Sequence, residues 1–137
     1  MKKKRIFQSE LVSDEQFCDI LHLTVDLERK IACCIRSQMA VWYKCSPEEF
    51  SPNLKTRTIL NSRWAPITGE DVLGDIEDSV SKIADYHIEI NPSNIQPFTH
   101  RGFFGLFRKK GATTFGEWVN NLTQYIVNQI KEERKGR

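Results

Sequence analysis

Residues 69–90, GEDVLGDIEDSVSKIADYHIEI, constrain this chain more than any other stretch, because apolar side chains recur there at helical spacing among acids. Val72 or Leu73, Ile76, Val80 and Ile83 fall on one stripe, the pattern of a helix that must bury one face against a partner. Asp75, Glu77, Asp78 and Asp85 are then left facing water. Thr68 and Asp71 supply a capping signal, and Glu70 and Asp71 in the first turn suit the positive end of the helix dipole. Gly74 costs about 1 kcal/mol of helix propensity relative to alanine, so a closely packed neighbour is expected there. Residues 87–90 read as a short extended exit, stopped by Asn91 and Pro92.

The rest of the chain also reads as helix. Ser13 and Gln16 have the spacing of a capping box, and Val25, Ile31, Cys34, Ile35, Met39 and Trp42 follow with apolar periodicity, leaving Arg29, Lys30, Arg36 and Gln38 for other faces. Residues 13–43 form one helix or two. Thr24 and Asp26 offer a second start, which places a break near residues 22–24. Pro47 and Pro52 end helical structure around residues 45–53, and residues 54–67 read as a long irregular connection pinned by Ile59, Leu60 and Trp64. A second T-x-x-E box, Thr114 to Glu117, opens a last helix with Phe115, Trp118, Val119, Leu122, Tyr125, Ile126 and Ile130 on one broad face. Residues 131–137 are expected to fray as a basic tail, and residues 1–12 to form a flexible basic N-terminus.

At 137 residues, with 39% hydrophobic and 28% charged side chains, the chain supports one core, so residues 1–137 read as a single domain. No apolar run approaches the roughly 20 residues that span a bilayer, and the basic start lacks the apolar segment of a secretory signal. A cytoplasmic location is expected. Cys18, Cys33, Cys34 and Cys45 show no CxxC or Cys/His cluster, which favours reduced, partly buried thiols over a metal site. The net charge of +2 conceals a division. Residues 68–90 hold seven acids and one lysine, whereas residues 91–112 hold four basic side chains and no acid. A nucleic-acid binder spreads positive charge along one face; two signs in adjacent segments favour a protein partner with a basic surface. The oligomeric state is left open.

Three segments together resemble the acyl carrier protein family. DLERKIACCIRSQMAVWYKCSPEEFSP looks like a carrier's first helix and its "xPEEx" turn, GEDVLGDIEDSVSKIADYHIEI aligns without gaps to the serine-bearing second helix and its "F-D-I-E-I" ending, and TTFGEWVNNLTQYI is similar to the last helix. The resemblance implies an all-α, acyl-carrier-like helical bundle, with an N-terminal helical extension and an inserted aromatic and basic loop before the last helix. Some small bacterial proteins share this pattern without the serine that carries phosphopantetheine. Here Val72 stands at that serine's position, and its side chain has no oxygen to esterify.

A competing alignment places Asp78, Ser79 and Val80 on the carrier's "D-S-L", making Ser79 an alternative phosphopantetheine site, but only nine positions then separate Ser79 from Ile88 where a carrier has sixteen. Enzymatic chemistry finds little support. His22, His87 and His100 are far apart, Asp75, Glu77 and Asp78 lack the apolar surroundings that raise a catalytic carboxyl's pKa, and no glycine-rich phosphate loop is present. The expected function is therefore binding without catalysis or cofactor. One contact is the acidic helix, with Glu70, Asp75, Glu77, Asp78 and Asp85. The other is the loop FTHRGFFGLFRKKGA, where Arg101, Phe103, Phe107, Arg108, Lys109 and Lys110 set aromatic anchors among cations, while Phe98 and Phe104 staple the loop to the bundle. A functional carrier modified at Ser79 and an immunity-type inhibitor of a toxin or nuclease are the alternatives.

Overall fold

The computed structural model describes residues 10–60, 69–85, 87–90 and 114–135, with the backbone alone at residues 60 and 69–73. Among these the chain is all-α: α1 (Asp14–Ile20), α2 (Asp26–Tyr43), α3 (Thr56–Leu60), α4 (Gly69–Ala84) and α5 (Phe115–Lys135). The one β feature among the described residues is an isolated bridge between Lys55 and Thr114.

Residues 13–43 are two helices. The Ser13 hydroxyl accepts the Gln16 N–H at 3.2 Å while Gln16 Oε1 accepts the Ser13 N–H at 3.0 Å, which completes the capping box. His22 then enters the left-handed region (φ 60°), and the Leu23 N–H reaches back to the Cys18 carbonyl at 3.0 Å, closing α1 in a Schellman arrangement. Thr24 does not cap the next helix; Val25 occupies that position with no side-chain hydrogen bond. Lys44 (φ 57°) closes α2 in the same way, with the Cys45 N–H on the Ala40 carbonyl at 3.1 Å. Pro47 opens a single 3-10 turn at Pro47–Glu49.

The connection expected to be irregular contains α3, because Ile59 is fully buried and its carbonyl accepts the Tyr43 hydroxyl at 3.4 Å. Residues 61–68, with Trp64 and Thr68, lie outside the described residues. The Thr114 hydroxyl accepts the Glu117 N–H at 3.2 Å and starts α5. That helix continues to Lys135, so the stretch expected to fray from residue 131 is helical as far as 135. At the other end Val12 is buried and its N–H donates to the Glu48 carbonyl at 3.0 Å, so the basic N-terminus is anchored by its last residue.

Helix α2 lies at the centre, packed against α4 on one side and α5 on the other. Ile31, Ile35 and Met39 of α2 meet Ile76 and Val80 of α4 and Trp118, Val119, Leu122, Ile126 and Ile130 of α5, all buried. An aromatic cluster closes one end of this core. Phe115 stands 5.0 Å from Phe50, 5.8 Å from Phe17 and 5.9 Å from Trp118, and Phe50 lies edge-on to Tyr43 at 5.5 Å. Arg36, expected on another face of α2 than the apolar stripe, is fully buried.

Gly74 of α4 and Gly116 of α5 sit in opposite surroundings. A Cβ at Gly74 would meet nothing within 4 Å, so no close neighbour stands there among the described residues. At Gly116 a Cβ would stand 2.9 Å from the Pro52 carbonyl oxygen and 3.0 Å from Leu21 and Pro52 side-chain carbons. The Gly116 N–H donates to that same carbonyl at 3.0 Å, which fixes the approach of α5. Gly74→Ala should raise stability by about 0.5–1 kcal/mol, whereas Gly116→Ala should lower it by roughly 1–3 kcal/mol. Urea denaturation of the two variants checks both signs.

Candidate functional site

One turn after another, α4 exposes Gly74, Asp75, Asp78 and Lys82 and buries Ile76 and Val80, with Ile83 half-buried, and Asp85 just after its end is exposed as well. The exposed side chains fall on a single arc, as a 3.6-residue repeat requires. Asp75, Asp78 and Asp85 therefore share one face with Lys82, which lies one turn after Asp78 in the favourable acid-to-base order. Asp75 is also held: the Trp42 indole N–H of α2 donates to its Oδ2 at 2.6 Å. Asp85 closes the helix in the left-handed region (φ 62°), its N–H on the Ser81 carbonyl at 2.9 Å.

Glu77 departs from the expectation that it faces water. It is half-buried, and its Oε2 accepts the Ile90 N–H at 2.7 Å. Ser81, one turn later, accepts the Ile88 N–H at 2.9 Å. From α5, Gln129 Oε1 accepts the Glu89 N–H and its Nε2 donates to the Glu89 carbonyl, both at 2.9 Å. Residues 87–90 thus gain from three side chains the hydrogen bonds that a neighbouring strand would otherwise supply. With the backbone so held, Ile88 and Ile90 point into the core and His87 and Glu89 stay exposed. His87, Glu89, Tyr125, Gln129, Glu132 and Glu133 line an open cleft beside this segment.

Ser79 is half-buried beside the Cys34 thiol of α2. Burial pushes the Cys34 thiol up, and the Ser79 hydroxyl opposes that rise. Glu70 and Val72 lie in the first turns of α4, where the backbone alone is described. Phe98, His100, Arg101, Phe103, Phe104, Phe107, Arg108, Lys109 and Lys110 lie outside the described residues.

A second polar region lies between α1 and α2. Asp14, Glu15, Cys18, Arg29, Lys30 and Cys33 line an open groove. Arg29 bridges its walls, donating to Asp19 Oδ1 at 3.0 Å and to the Leu23 carbonyl at 2.7 Å. Behind the groove the guanidinium of Arg36 donates to the Val12 carbonyl at 2.8 Å, the Phe50 carbonyl at 3.4 Å and Asp14 Oδ1 at 2.7 Å, with its carbon 4.6 Å from the centre of the Phe17 ring.

Sequence reasoning missed the Trp42–Asp75 and Gln129–Glu89 contacts, which join residues far apart in the chain. Among the described residues, no three His, Cys, Asp or Glu side chains converge as a metal site would require. No helix of the described residues is long and apolar enough to cross a membrane. Comparison of the chain with protein-family models, with curated proteins and with solved structures finds no match.

Proposed function

We propose that this chain acts by binding, with the exposed face of α4 meeting a protein whose surface is basic. The observation that carries the reading is the placement of Asp75, Asp78 and Asp85 on one exposed arc, opposite the buried Ile76 and Val80. Carboxylates so displayed speed encounter with a cationic surface and penalise acidic competitors. Asp75 adds order, since its bond to the Trp42 indole reduces the freedom lost when a partner docks.

The similarity to acyl carriers frames this reading. A carrier-like bundle with valine at position 72 has no hydroxyl for a prosthetic arm, leaving surface contact as its means of action. In the same proposal the basic aromatic loop, through Arg101, Phe103, Phe107, Arg108, Lys109 and Lys110, provides a second contact. Carriage at Ser79 is less favoured, because that residue is half-buried in the middle of α4.

The test is the double reversal Asp75→Lys with Asp78→Lys. Both residues are exposed, so the fold should persist, as circular dichroism would verify. Affinity for a partner captured by the wild-type chain should fall roughly 10- to 100-fold, and the wild-type affinity should itself weaken with added salt. An unchanged affinity removes α4 from the interface. A mass increase of one phosphopantetheine arm, after co-expression with the transferase that attaches it, would overturn the reading.

A further inference from the structure

Cys18 and Cys33 face each other across the α1–α2 contact, their sulfur atoms 3.5 Å apart. They are 15 positions apart in the chain and belong to different helices, so the fold, not the local sequence, brings them together. We propose that this pair is an oxidative modification site, at which a low-molecular-weight disulfide such as glutathione disulfide converts the two thiols into a bond that ties α1 to α2.

The two partners suit different parts of the exchange. Cys33 is half-buried at the groove lined by Asp14, Glu15, Arg29 and Lys30, whereas Cys18 is 1% exposed. Cys33 is thus the sulfur that a small disulfide reaches first. Its thiol loses a proton to solvent, and the thiolate attacks one sulfur of the glutathione disulfide. The glutathione sulfur–sulfur bond breaks, one glutathione thiolate leaves, and Cys33 is held in a mixed disulfide. Cys18 then loses its proton and attacks the Cys33 sulfur, expelling the second glutathione thiolate. The protein dithiol is oxidised by two electrons, and one glutathione disulfide is reduced to two glutathione molecules.

Geometry favours the second step over a lasting mixed disulfide. Closing from 3.5 Å to a sulfur–sulfur bond of about 2.0 Å asks for about 1.5 Å of combined movement. Helix α1 is only seven residues long and closes at the left-handed His22, so the shift falls on a short element beside a turn. Of the neighbouring cysteines Cys33 and Cys34, it is Cys33 whose sulfur stands 3.5 Å from that of Cys18, while Cys34 lies beside Ser79 of α4.

The same packing sets the rate. Burial, and then the hydrogen bond with Cys18, push the Cys33 thiol from 9.0 up to about 12. At neutral pH it is almost wholly protonated, and the thiolate is the attacking species. The pair therefore stays reduced through brief oxidant exposure and closes when exposure is prolonged or alkaline. From about pH 7 to about pH 9 the initial rate should rise roughly a hundredfold, tracking the thiolate fraction.

The experiment treats the full chain with glutathione disulfide at about pH 9, followed by non-reducing digestion, peptide mass mapping and thermal melting. The expected result is a peptide linked through Cys18 and Cys33, loss of two of the four free thiols, and a melting midpoint higher by roughly 5–10 °C. Cys33→Ser should give neither link nor shift, while Cys34→Ser should give both. Should Cys33→Ser fail to fold, the linked wild-type peptide and its raised midpoint still test the idea. Four intact thiols after full exposure, glutathione retained on Cys33, or a linked chain that melts at a lower temperature would each overturn it.

Discussion

Replacing Arg36 with alanine should cost this protein about 3–5 kcal/mol of stability, lowering its melting midpoint by 10 °C or more on the order-of-magnitude scale for a domain of this size. The side chain is fully buried and reaches four groups at once. Removing it takes a charged donor from the Val12 and Phe50 carbonyls, each such loss costing about 1–3 kcal/mol in a buried setting. It also removes the cation from the Phe17 face and leaves a cavity where the stem packed. The Asp14 contact is the smaller part, since that carboxylate is 67% exposed and remains solvated without its partner. Asp14→Asn keeps an oxygen that can accept from Arg36 but removes the counter-charge of a buried guanidinium, and should cost about 1–3 kcal/mol. Arg36→Met, which keeps the stem volume and loses the donors, should fall between the two. Arg36→Lys should recover only part of the loss, because an ammonium cannot fork between Val12 and Asp14 as a guanidinium does. Equilibrium denaturation of the four variants gives the order, and an Arg36→Ala change under about 1 kcal/mol would show that the guanidinium is not what secures residues 10–14 to the core.

Arg36 also marks where the sequence stops being readable. Helices α1, α4 and α5 are legible because each has a local signature: Ser13 with Gln16 before α1, the apolar stripe of α4, and Thr114 with Glu117 before α5. Those signals depend on neighbours within four positions. A fully buried arginine does not announce itself by such spacing, because its partners Val12, Asp14 and Phe50 arrive from 14 to 24 residues away. Helix α3 escaped notice for a related reason. Residues 56–60 are too few to show periodicity, and Ile59 is helical because its burial against Tyr43 rewards a compact turn. Gly74 is the converse case: a close neighbour is expected from its residue type, but none stands within 4 Å among the described residues.

The candidate site divides along the same line. Asp75, Asp78 and Asp85 lie where a 3.6-residue repeat puts them once Ile76 and Val80 are assigned to the core. Glu77 is adjacent to Asp78 and also carries a carboxylate, yet its Oε2 accepts the Ile90 N–H. Nothing local separates the two; the difference comes from where residues 87–90 return along α4. Trp42 is read correctly as packing against the bundle, but its indole N–H turns to Asp75, since a half-buried indole gains from a polar partner at its edge. The Cys18–Cys33 approach likewise depends on the turn at His22, which brings the end of α1 back against α2.

Phe115→Ala should be the other severe loss, about 3–5 kcal/mol. Its ring is fully buried and lies within 5.9 Å of three others, Phe17 of α1, Phe50 after the 3-10 turn and Trp118 of its own helix. These rings come from separate elements, so truncation opens one cavity bordered by α1, the turn and the start of α5. Tilted aromatic pairs add about 0.5–1.5 kcal/mol each beyond area burial, an addition lost together with the transfer energy. The backbone leaves little room for collapse. The Phe115 N–H donates to the Leu54 carbonyl at 2.8 Å, and Gly116 is pressed on Pro52, so α5 cannot slide into the space. Phe115→Leu separates the contributions, because it keeps most of the volume and removes the ring contacts; it should cost about 1–2 kcal/mol. Chemical denaturation should thus place leucine well above alanine. Equal losses for the two would mean that ring geometry, not filled volume, holds the first turn of α5 against α1.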